Sequence, residues 1–592
     1  MPLKWGAQAA GLRYSTARRT PRLPASRLTV WRRVDLKLEV VAEPATPARG
    51  PRAVPTRCRG PVSVCFAGGS LAFTRHSMRS HFLAAVVAAI AWAWAARTTA
   101  AETSPPTLVQ WHFLGAVQLA QDTNAARLRS VLAQPTTRAV FEQTIARLAA
   151  ATGTNAAAAA LTRPLFNDLL AAESFGEVRG GSGAPTQWLL AMRLPAEHGK
   201  RWASTWPALT GALGMAKGQA AYADGWLVGG VSASGEAPDL KPLRQRVAGA
   251  GKAGAWLEGV ANLSGLARTF GWPTYVTWPE AHFAVVGGGQ NVRATARLVF
   301  DHALDLPLEA WHIPTNTVRE PLLSFTAIQG MRPWLAGRPV LTELSLPAPN
   351  QVFEWAQSQV PYQTHFAWAM PNADEHVRAL QTKLLPAARA HVSWLNFGRL
   401  EYDTNRHRLS WLGFPVIVPF VNPAADAGFV EAGIFPILNP KATAPSELYA
   451  QILGRKELVY YDWELTQPRL ADWQALQTLH GILAGYLPPL TNQVVLAWLQ
   501  DTNVTRNLGN AVTEVTRAAP RELNAVRTSA VGLTAFEILQ FARWVGGERF
   551  PHWTPPQSAA ALRKARPHTN APPARPNGPK PLRRATVPPV KR

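Results

Sequence analysis

Two segments that lie 178 residues apart share the same pattern, and this repetition constrains the fold more than any other feature. The sequence TQWLLAMRLPAEH begins at Thr186 and THFAWAMPNADEH begins at Thr364, with five identical positions. Each segment starts with an aromatic-rich stretch typical of a β-strand and continues into a polar stretch that favours the start of a helix. The sequence therefore predicts repeated strand–helix units.

Looser copies of the same pattern begin at Trp111 and Leu458. Because strands followed by helices build a sheet covered by helices, we predict an α+β fold with antiparallel or mixed sheets and helices packed on one face. We expect two related lobes, at 102–345 and 346–556, separated by the proline-rich stretch 344–350.

Two further segments carry local signals. Residues 281–286 predict a strand that runs through three glycines into a helix beginning near Asn291. The segment that starts at Arg521 predicts a loop followed by an amphipathic helix, which ends at Gly546 and has Glu537 facing solvent. Both predictions depend on local periodicity alone.

The positive charge of the chain is concentrated at its two ends. The 592 residues include 61 Lys and Arg against 37 Asp and Glu, yet residues 102–556 contain 36 basic and 34 acidic residues. A domain that binds nucleic acid through phosphates needs a basic surface. The nearly neutral middle of the chain therefore argues against nucleic acid as a partner, and we expect none.

The segment that starts at Met78 has the organisation of a secretory signal peptide. A short basic stretch precedes a 15-residue apolar run at 82–96, and small residues follow up to Ala101. Since a helix needs about 20 apolar residues to cross a bilayer, the run favours a cleaved signal at 78–101 over a retained anchor. We expect a periplasmic or secreted protein with no transmembrane anchor after cleavage; the alternative is anchoring through an uncleaved 82–96.

Residues 1–77 precede this signal and are rich in Arg and Pro. Because a targeting signal acts at a nascent N-terminus, we expect translation to start at Met78, with a disordered leader as the alternative. The only two cysteines of the chain, Cys58 and Cys65, lie in this part. The exported product would then lack thiolates for disulfides or zinc, and its histidines are scattered singly, so we expect no cofactor and no metal.

Residues 557–592 contain eight prolines and nine Lys and Arg, with no acidic or aromatic residue. Such a composition cannot bury enough apolar surface to fold, so we predict a disordered basic tail. A candidate partner for this tail is an anionic surface of the bacterial envelope.

One carboxylate pair is the best candidate for catalysis. Asp462 and Glu464 lie two residues apart in a predicted strand and therefore project from one face, with Cα atoms about 7 Å apart. This spacing is near that of paired glycosidase carboxylates, and the neighbouring Tyr460, Tyr461 and Trp463 are aromatic residues of the kind that stack on sugars. Strands with one polar face carry such pairs in ordinary proteins as well. A glycan hydrolase that uses this pair is the alternative function.

Tryptophan is the remaining notable feature, since 19 of the 23 follow the signal. Their strand and helix spacing favours a role in the core, and a shared concavity between lobes would instead bind an apolar ligand. The sequence contains no complete catalytic motif. We therefore expect an exported envelope protein with a non-enzymatic binding or scaffolding role, whose candidate ligands are apolar molecules or glycans.

Overall fold

A computed structural model describes residues 106–551, apart from gaps at 153–155, 182–183, 213–216, 234–235, 250–253, 271, 273–275, 359, 361, 392–397, 414–416, 438–441, 485–489 and 549. The predicted leader at 1–77, the signal at 78–101 and the tail at 557–592 lie outside the described residues. Within the described ranges, no helix is both long enough and apolar enough to span a membrane.

The described part of the chain is a mixture of strands and helices. Its strands are β1 Thr107–Phe113, β2 Ser174–Gly181, β3 Ala184–Arg193, β4 Lys217–Ala223, β5 Trp226–Ser232, β6 Leu257–Asn262, β7 Glu280–Gly288, β8 Asn291–Val299, β9 Leu322–Ile328, β10 Val352–Gln357, β11 Thr364–Ala369, β12 Arg399–Asp403, β13 Arg408–Leu412, β14 Phe420–Pro423, β15 Phe429–Gly433, β16 Leu458–Leu465, β17 Asn510–Ala519 and β18 Glu522–Ser529.

The helices connect these strands. They are α1 Ala116–Gln121, α2 Ala126–Leu132, α3 Pro135–Thr152, α4 Ala156–Ala171, α5 Ala196–Ala212, α6 Lys241–Ala248, α7 Leu263–Phe270, α8 Arg332–Ala336, α9 Pro339–Leu344, α10 Ala373–His391, α11 Ser446–Ala450, α12 Thr466–Ala484, α13 Gln493–Gln500, α14 Thr502–Thr505 and α15 Ala535–Gly546.

All the described strands belong to one antiparallel sheet. Hydrogen-bonded pairing gives the order β4-β5-β3-β2-β1-β6-β7-β8-β18-β17-β16-β9-β10-β11-β15-β14-β13-β12. The strands β1 to β8 thus form one half of the sheet and β9 to β18 the other, and the two halves meet where β8 pairs with β18. Of the two predicted alternatives, the antiparallel sheet is confirmed.

The predicted strand–helix units are present at all four places. β1 is followed by α1, β3 by α5 and β11 by α10, and β16 leads directly into α12. In α12, Leu470 is buried in a cluster with residues of α13 and α15, and Trp473 packs against the same cluster. Leu470 and Trp473, three residues apart, therefore lie on the surface through which α12 packs.

Helices lie on both faces of the sheet, and the prediction of helices on one face was wrong. Trp188 and Met192 of β3 pack in a cluster with α5, whereas Leu189 and Ala191 pack with Leu243 of α6. Successive side chains of a strand point to opposite faces, and β3 is apolar on both, so each face needs a cover. We call these faces the α5 side and the α6 side.

The two sides are covered to different extents. The α5 side also carries α7, α10, α12 and α15, whose residues pack with the sheet. On the α6 side, α6 packs on β2 and β3, and α11 packs near the other end, where Tyr449 and Ile452 meet Phe325 and Phe353. Between these two helices, the central strands keep polar and partly exposed side chains.

Tryptophan side chains contribute much of the core, as their spacing predicted. Each such side chain buries on the order of 150–250 Å². The buried ones in the described ranges are Trp111, Trp188, Trp202, Trp206, Trp256, Trp311, Trp355, Trp411, Trp498 and Trp544.

Candidate functional site: a depression on the central strands

A hairpin of β7 and β8 lies at the centre of the sheet, where the sequence predicted a helix. Gly288 pairs with Asn291, and the two residues between them form the turn. Gly289 in this turn has a φ of 60°, a left-handed conformation that glycine adopts without strain. The helix prediction near Asn291 was wrong because residues 291–299 place apolar side chains at a period of two as well as at a helical period.

β18 completes the centre of the sheet, although the sequence predicted a loop after Arg521. It pairs with β8 over eight residues, from Val292 opposite Ser529 to Val299 opposite Glu522. This strand is short of large apolar residues, which is why its own sequence gives a weak strand signal. The partner strand supplies the hydrogen bonds that hold it in the sheet.

A depression with a volume of about 620 Å³ lies on these central strands. Three consecutive residues on each of four neighbouring strands line it, namely 258–260 of β6, 282–284 of β7, 295–297 of β8 and 524–526 of β18. Ligand pockets commonly measure about 300–1,000 Å³, so the volume suits a small-molecule ligand.

The strand register arranges the side chains on the α6 side of this depression in two rows. The first row is Glu258, Ala284, Thr295 and Val526; the second is Val260, His282, Arg297 and Asn524. Three of these side chains are substantially exposed: Glu258 by 49%, His282 by 40% and Arg297 by 55%. A solvent-accessible surface that mixes hydrogen-bonding groups with short apolar side chains therefore crosses four strands.

The ionisable groups in the second row have partners within the chain. His282 Nε2 lies 2.8 Å from Glu280 Oε1, and Arg297 Nη2 donates to Glu522 Oε2 at 2.7 Å. The hydrogen bond from Arg297 lowers the pKa of the Glu522 carboxyl and raises that of the Arg297 guanidinium. The surface thus carries both signs of charge, already paired.

A buried histidine lies behind Glu258. His112 Nδ1 is 3.5 Å from Glu258 Oε1, and His112 Nε2 is 3.0 Å from Glu173 Oε1. The imidazole stacks on the Phe175 ring with 4.0 Å between centroids, and Arg193 donates to the other oxygen of Glu173 at 3.1 Å. Glu258 is therefore the exposed end of a chain of polar contacts that continues through His112, its partner on the neighbouring strand β1, to Glu173.

The predicted carboxylate pair lies elsewhere, on the α5 side of β16. Asp462 and Glu464 do project from one face of a strand, as predicted, but their exposed fractions are only 5% and 4%. Asp462 Oδ1 accepts a hydrogen bond from Thr326 Oγ1 at 2.7 Å, and Glu464 Oε1 accepts one from the Ala535 amide at 2.6 Å. Neither carboxyl group lines the depression.

Helix α15 covers this pair and brings Glu537 to it, and strand β18 brings Arg527. Glu537 is buried rather than facing solvent, which corrects the prediction, because it forms a capping box with Thr534 at the start of the helix. It also accepts a hydrogen bond from Arg527 at 2.5 Å, and Arg527 Nε donates to Thr513 at 2.9 Å. The carboxylates therefore belong to a buried polar network.

The network changes the acidity of Glu464. Burial, followed by the neighbouring Asp462 carboxylate, raises the pKa of Glu464 to about 8. A general acid in a glycosidase has a raised pKa of this kind, but such a group also has to reach its substrate. The contacts of Glu464 that the structure describes are with the protein itself.

Sequence reasoning missed the depression because it assigned two of the four lining strands, β8 and β18, to a helix and a loop. The available signal was the alternation of polar residues such as Thr295 and Arg297 beside the glycine turn. Across residues 106–551, with their gaps, no group of three or more His, Cys, Asp or Glu side chains is arranged to hold a metal ion. Comparison of the chain with protein-family models, with curated proteins and with solved structures gave no match.

Proposed function

We propose that this chain is an exported, non-enzymatic binding protein of a bacterial envelope, and that it binds its ligand in the central depression. The observation that supports the proposal is the open surface on β6, β7, β8 and β18, which has the volume of a ligand pocket and exposed polar side chains. A concave surface with a few convergent polar groups is the default candidate for a ligand-binding site.

The export part of the proposal depends on the sequence of 78–101. Its basic start, its short apolar run at 82–96 and its small residues are those of a cleaved signal, which leads to a periplasmic or secreted product. N-terminal sequencing of the exported product tests this directly. We expect a new terminus just after Ala100 or Ala101, and a product that keeps 82–96 would support the anchored alternative.

A second candidate function is a glycan hydrolase that uses Asp462 and Glu464. The raised pKa of Glu464 favours it, since one protonated and one ionised carboxyl group form the usual pair of these enzymes. The burial of both groups under α15 favours a structural role instead. If Asp462→Asn and Glu464→Gln abolish a measured hydrolysis while the chain stays folded, the hydrolase replaces our proposal.

We also propose that the two halves of the sheet are related units, as the repeated segments predict. Outward from their junction, the strand orders are β8-β7-β6-β1-β2-β3 and β18-β17-β16-β9-β10-β11, and a helix follows the third and sixth strand in both. This order supports one unit at 107–299 and a second unit at 322–546. The boundary between the units then lies between residues 299 and 322, earlier than the boundary at 345 that the sequence predicts. The relationship would be contradicted if sequence profiles of the two units matched only around Thr186 and Thr364.

The basic tail at 557–592 supports a role at an anionic surface. Nine Lys and Arg without any acid give it an attraction to anionic lipids or envelope polymers that salt screens. Removal of the tail should abolish salt-sensitive binding to vesicles that contain phosphatidylglycerol. Unchanged binding would exclude this role.

The binding proposal is tested by thermal unfolding of the exported product in the presence of glycans and of lipids. A ligand that binds only the folded state raises the midpoint of unfolding in proportion to its concentration. We expect such a shift with at least one ligand class. No shift with any of them at any concentration would overturn the proposal.

A further inference from the structure

We propose that the ligand of the central depression is a neutral oligosaccharide. The inference rests on the proposed binding function and adds the chemical class of the ligand. It follows from three features of the surface: the paired state of its charges, its unused hydrogen-bonding capacity, and its low tolerance for a purely apolar ligand.

The charges of the depression argue against an ionic ligand. Arg297 is already paired with Glu522, His282 lies beside Glu280, and Glu258 lies beside His112. An anionic ligand would compete with Glu522 for Arg297, and a cationic ligand would compete with Arg297 for Glu522. A neutral ligand leaves every pair in place.

The same groups retain hydrogen-bonding capacity. A guanidinium has five N–H donors and a carboxylate two oxygens, so the Arg297–Glu522 contact leaves several of them available. The Asn524 side chain makes no hydrogen bond with any residue in the described part of the chain, and Thr295 Oγ1 makes only a long contact of 3.4 Å with the Ala284 carbonyl. Donors and acceptors that alternate at this spacing suit the hydroxyl groups of a sugar, each of which both donates and accepts.

An apolar ligand fits this surface less well. Val260, Ala284 and Val526 provide an apolar floor, but His282, Arg297 and Asn524 lie in the second row, which also contains Val260. Covering those groups with hydrocarbon would remove their water without replacing its hydrogen bonds, which costs on the order of 1–3 kcal/mol per group.

The dimensions suit a short chain of sugars. Four neighbouring strands about 4.8 Å apart give a floor on the order of 15 Å wide. Ala284, Thr295 and Val526 in the first row have short side chains that leave room above this floor, and the volume of the depression is about 620 Å³. An elongated ligand lying across the strands therefore contacts both rows.

The experiment titrates the exported product with chitohexaose, cellohexaose and maltohexaose as neutral probes, oligogalacturonate as the anionic probe and N-phenyl-1-naphthylamine as the uncharged apolar probe. We expect a neutral oligosaccharide to bind with an affinity that is unchanged between low and high salt, because no ion pair forms. Asn524→Ala and Thr295→Val should each weaken this binding about 3- to 10-fold, through the loss of one or two hydrogen bonds.

The matched control is Thr528→Val, on the same side of β18 but outside the lining of the depression. It should leave the affinity unchanged, and the midpoint of thermal unfolding without ligand shows that each variant is folded. Equal effects of Thr295→Val and Thr528→Val would overturn the placement of the ligand. Binding of only oligogalacturonate or N-phenyl-1-naphthylamine would overturn the ligand class and keep the binding function, whereas binding of none would overturn both.

Discussion

β6 and β16 occupy similar places in the two halves of the sheet but differ in what they bury. Each lies third from the junction of β8 and β18, and each leads directly into a helix on the α5 side. Gly259 and Ala261 of β6 lie four and two residues before the start of α7. Asp462 and Glu464 of β16 lie four and two residues before the start of α12 and so occupy the corresponding positions. The first half therefore uses small residues under its helices, and the second uses carboxylates.

The difference shows that this arrangement of strands does not itself require buried carboxylates. Around Gly259 the packing is apolar and close, with the Phe283 ring over the strand. Around Asp462 and Glu464, the carboxylate oxygens accept hydrogen bonds from other elements of the chain, such as the bond that Thr326 of β9 donates to Asp462. The stability of the second half should therefore depend more on the charges of its buried side chains. The stability of the first half should depend more on the small volume of its buried residues.

The largest effect is expected from Arg527→Met in the second half. It leaves Glu537 buried without its ionic partner, a change that typically costs about 3–5 kcal/mol. Chemical denaturation measures the free energy of unfolding, and Arg297→Met, which removes an exposed pair of the depression, is the control with little expected effect. Equal losses in the two variants would mean that the buried network is no more important than a surface pair.

Next in size is the pH dependence caused by Glu464. Its pKa is about 8 in the folded chain and near 4.5 when unfolded, so the folded state holds the extra proton between these values. The stabilisation from this proton is complete below about pH 4.5 and is lost as the pH rises to about 8.

Glu464→Gln should flatten this part of the profile, since the amide still accepts from the Ala535 amide and does not ionise. Denaturation at a series of pH values from 4 to 9 compares the two proteins. Parallel profiles would show that Glu464 ionises normally in the folded chain.

In the first half, Gly259→Ala should destabilise the chain by about 1–3 kcal/mol. A Cβ at this position would lie 2.3 Å from the Gln110 carbonyl oxygen and 2.7 Å from the Phe283 ring. Gly254→Ala is the matched control, because a Cβ there meets nothing within 4 Å. A neutral Gly259→Ala would indicate that β6 is less tightly packed than its contacts imply.

The smallest effect is expected from Thr534→Ala. It removes the side-chain cap of α15 but leaves Glu537 paired with Arg527, so the loss should be about 1 kcal/mol. If this loss equals that of Arg527→Met, the cap rather than the ion pair holds α15 over the carboxylates.

The parts of the fold that the sequence predicted are those with a local signal. β3 with α5 and β11 with α10 combine an aromatic strand, a polar break and a helical stripe, and all three signals come from adjacent residues. The pair Asp462 and Glu464 was correctly placed on one face for the same reason. Its burial was not predictable, because α15, which covers it, starts some 70 residues later in the chain.

The depression could not be predicted because two of its strands, β8 and β18, depend on each other. Residues 291–299 fit a helix and a strand equally well, and residues 522–529 have few large apolar side chains. Their pairing joins segments that are more than 200 residues apart, and no local pattern encodes that register. The hydrogen-bonding surface exists only once both strands are in place.

A crystal structure of the protein soaked with the neutral oligosaccharide that binds in the titration tests the central claim most directly. Our account predicts the sugar across β6, β7, β8 and β18, with a hydroxyl within hydrogen-bonding distance of the Asn524 side chain. A sugar bound beside Asp462 and Glu464 would contradict it and would assign the function to the buried carboxylates instead.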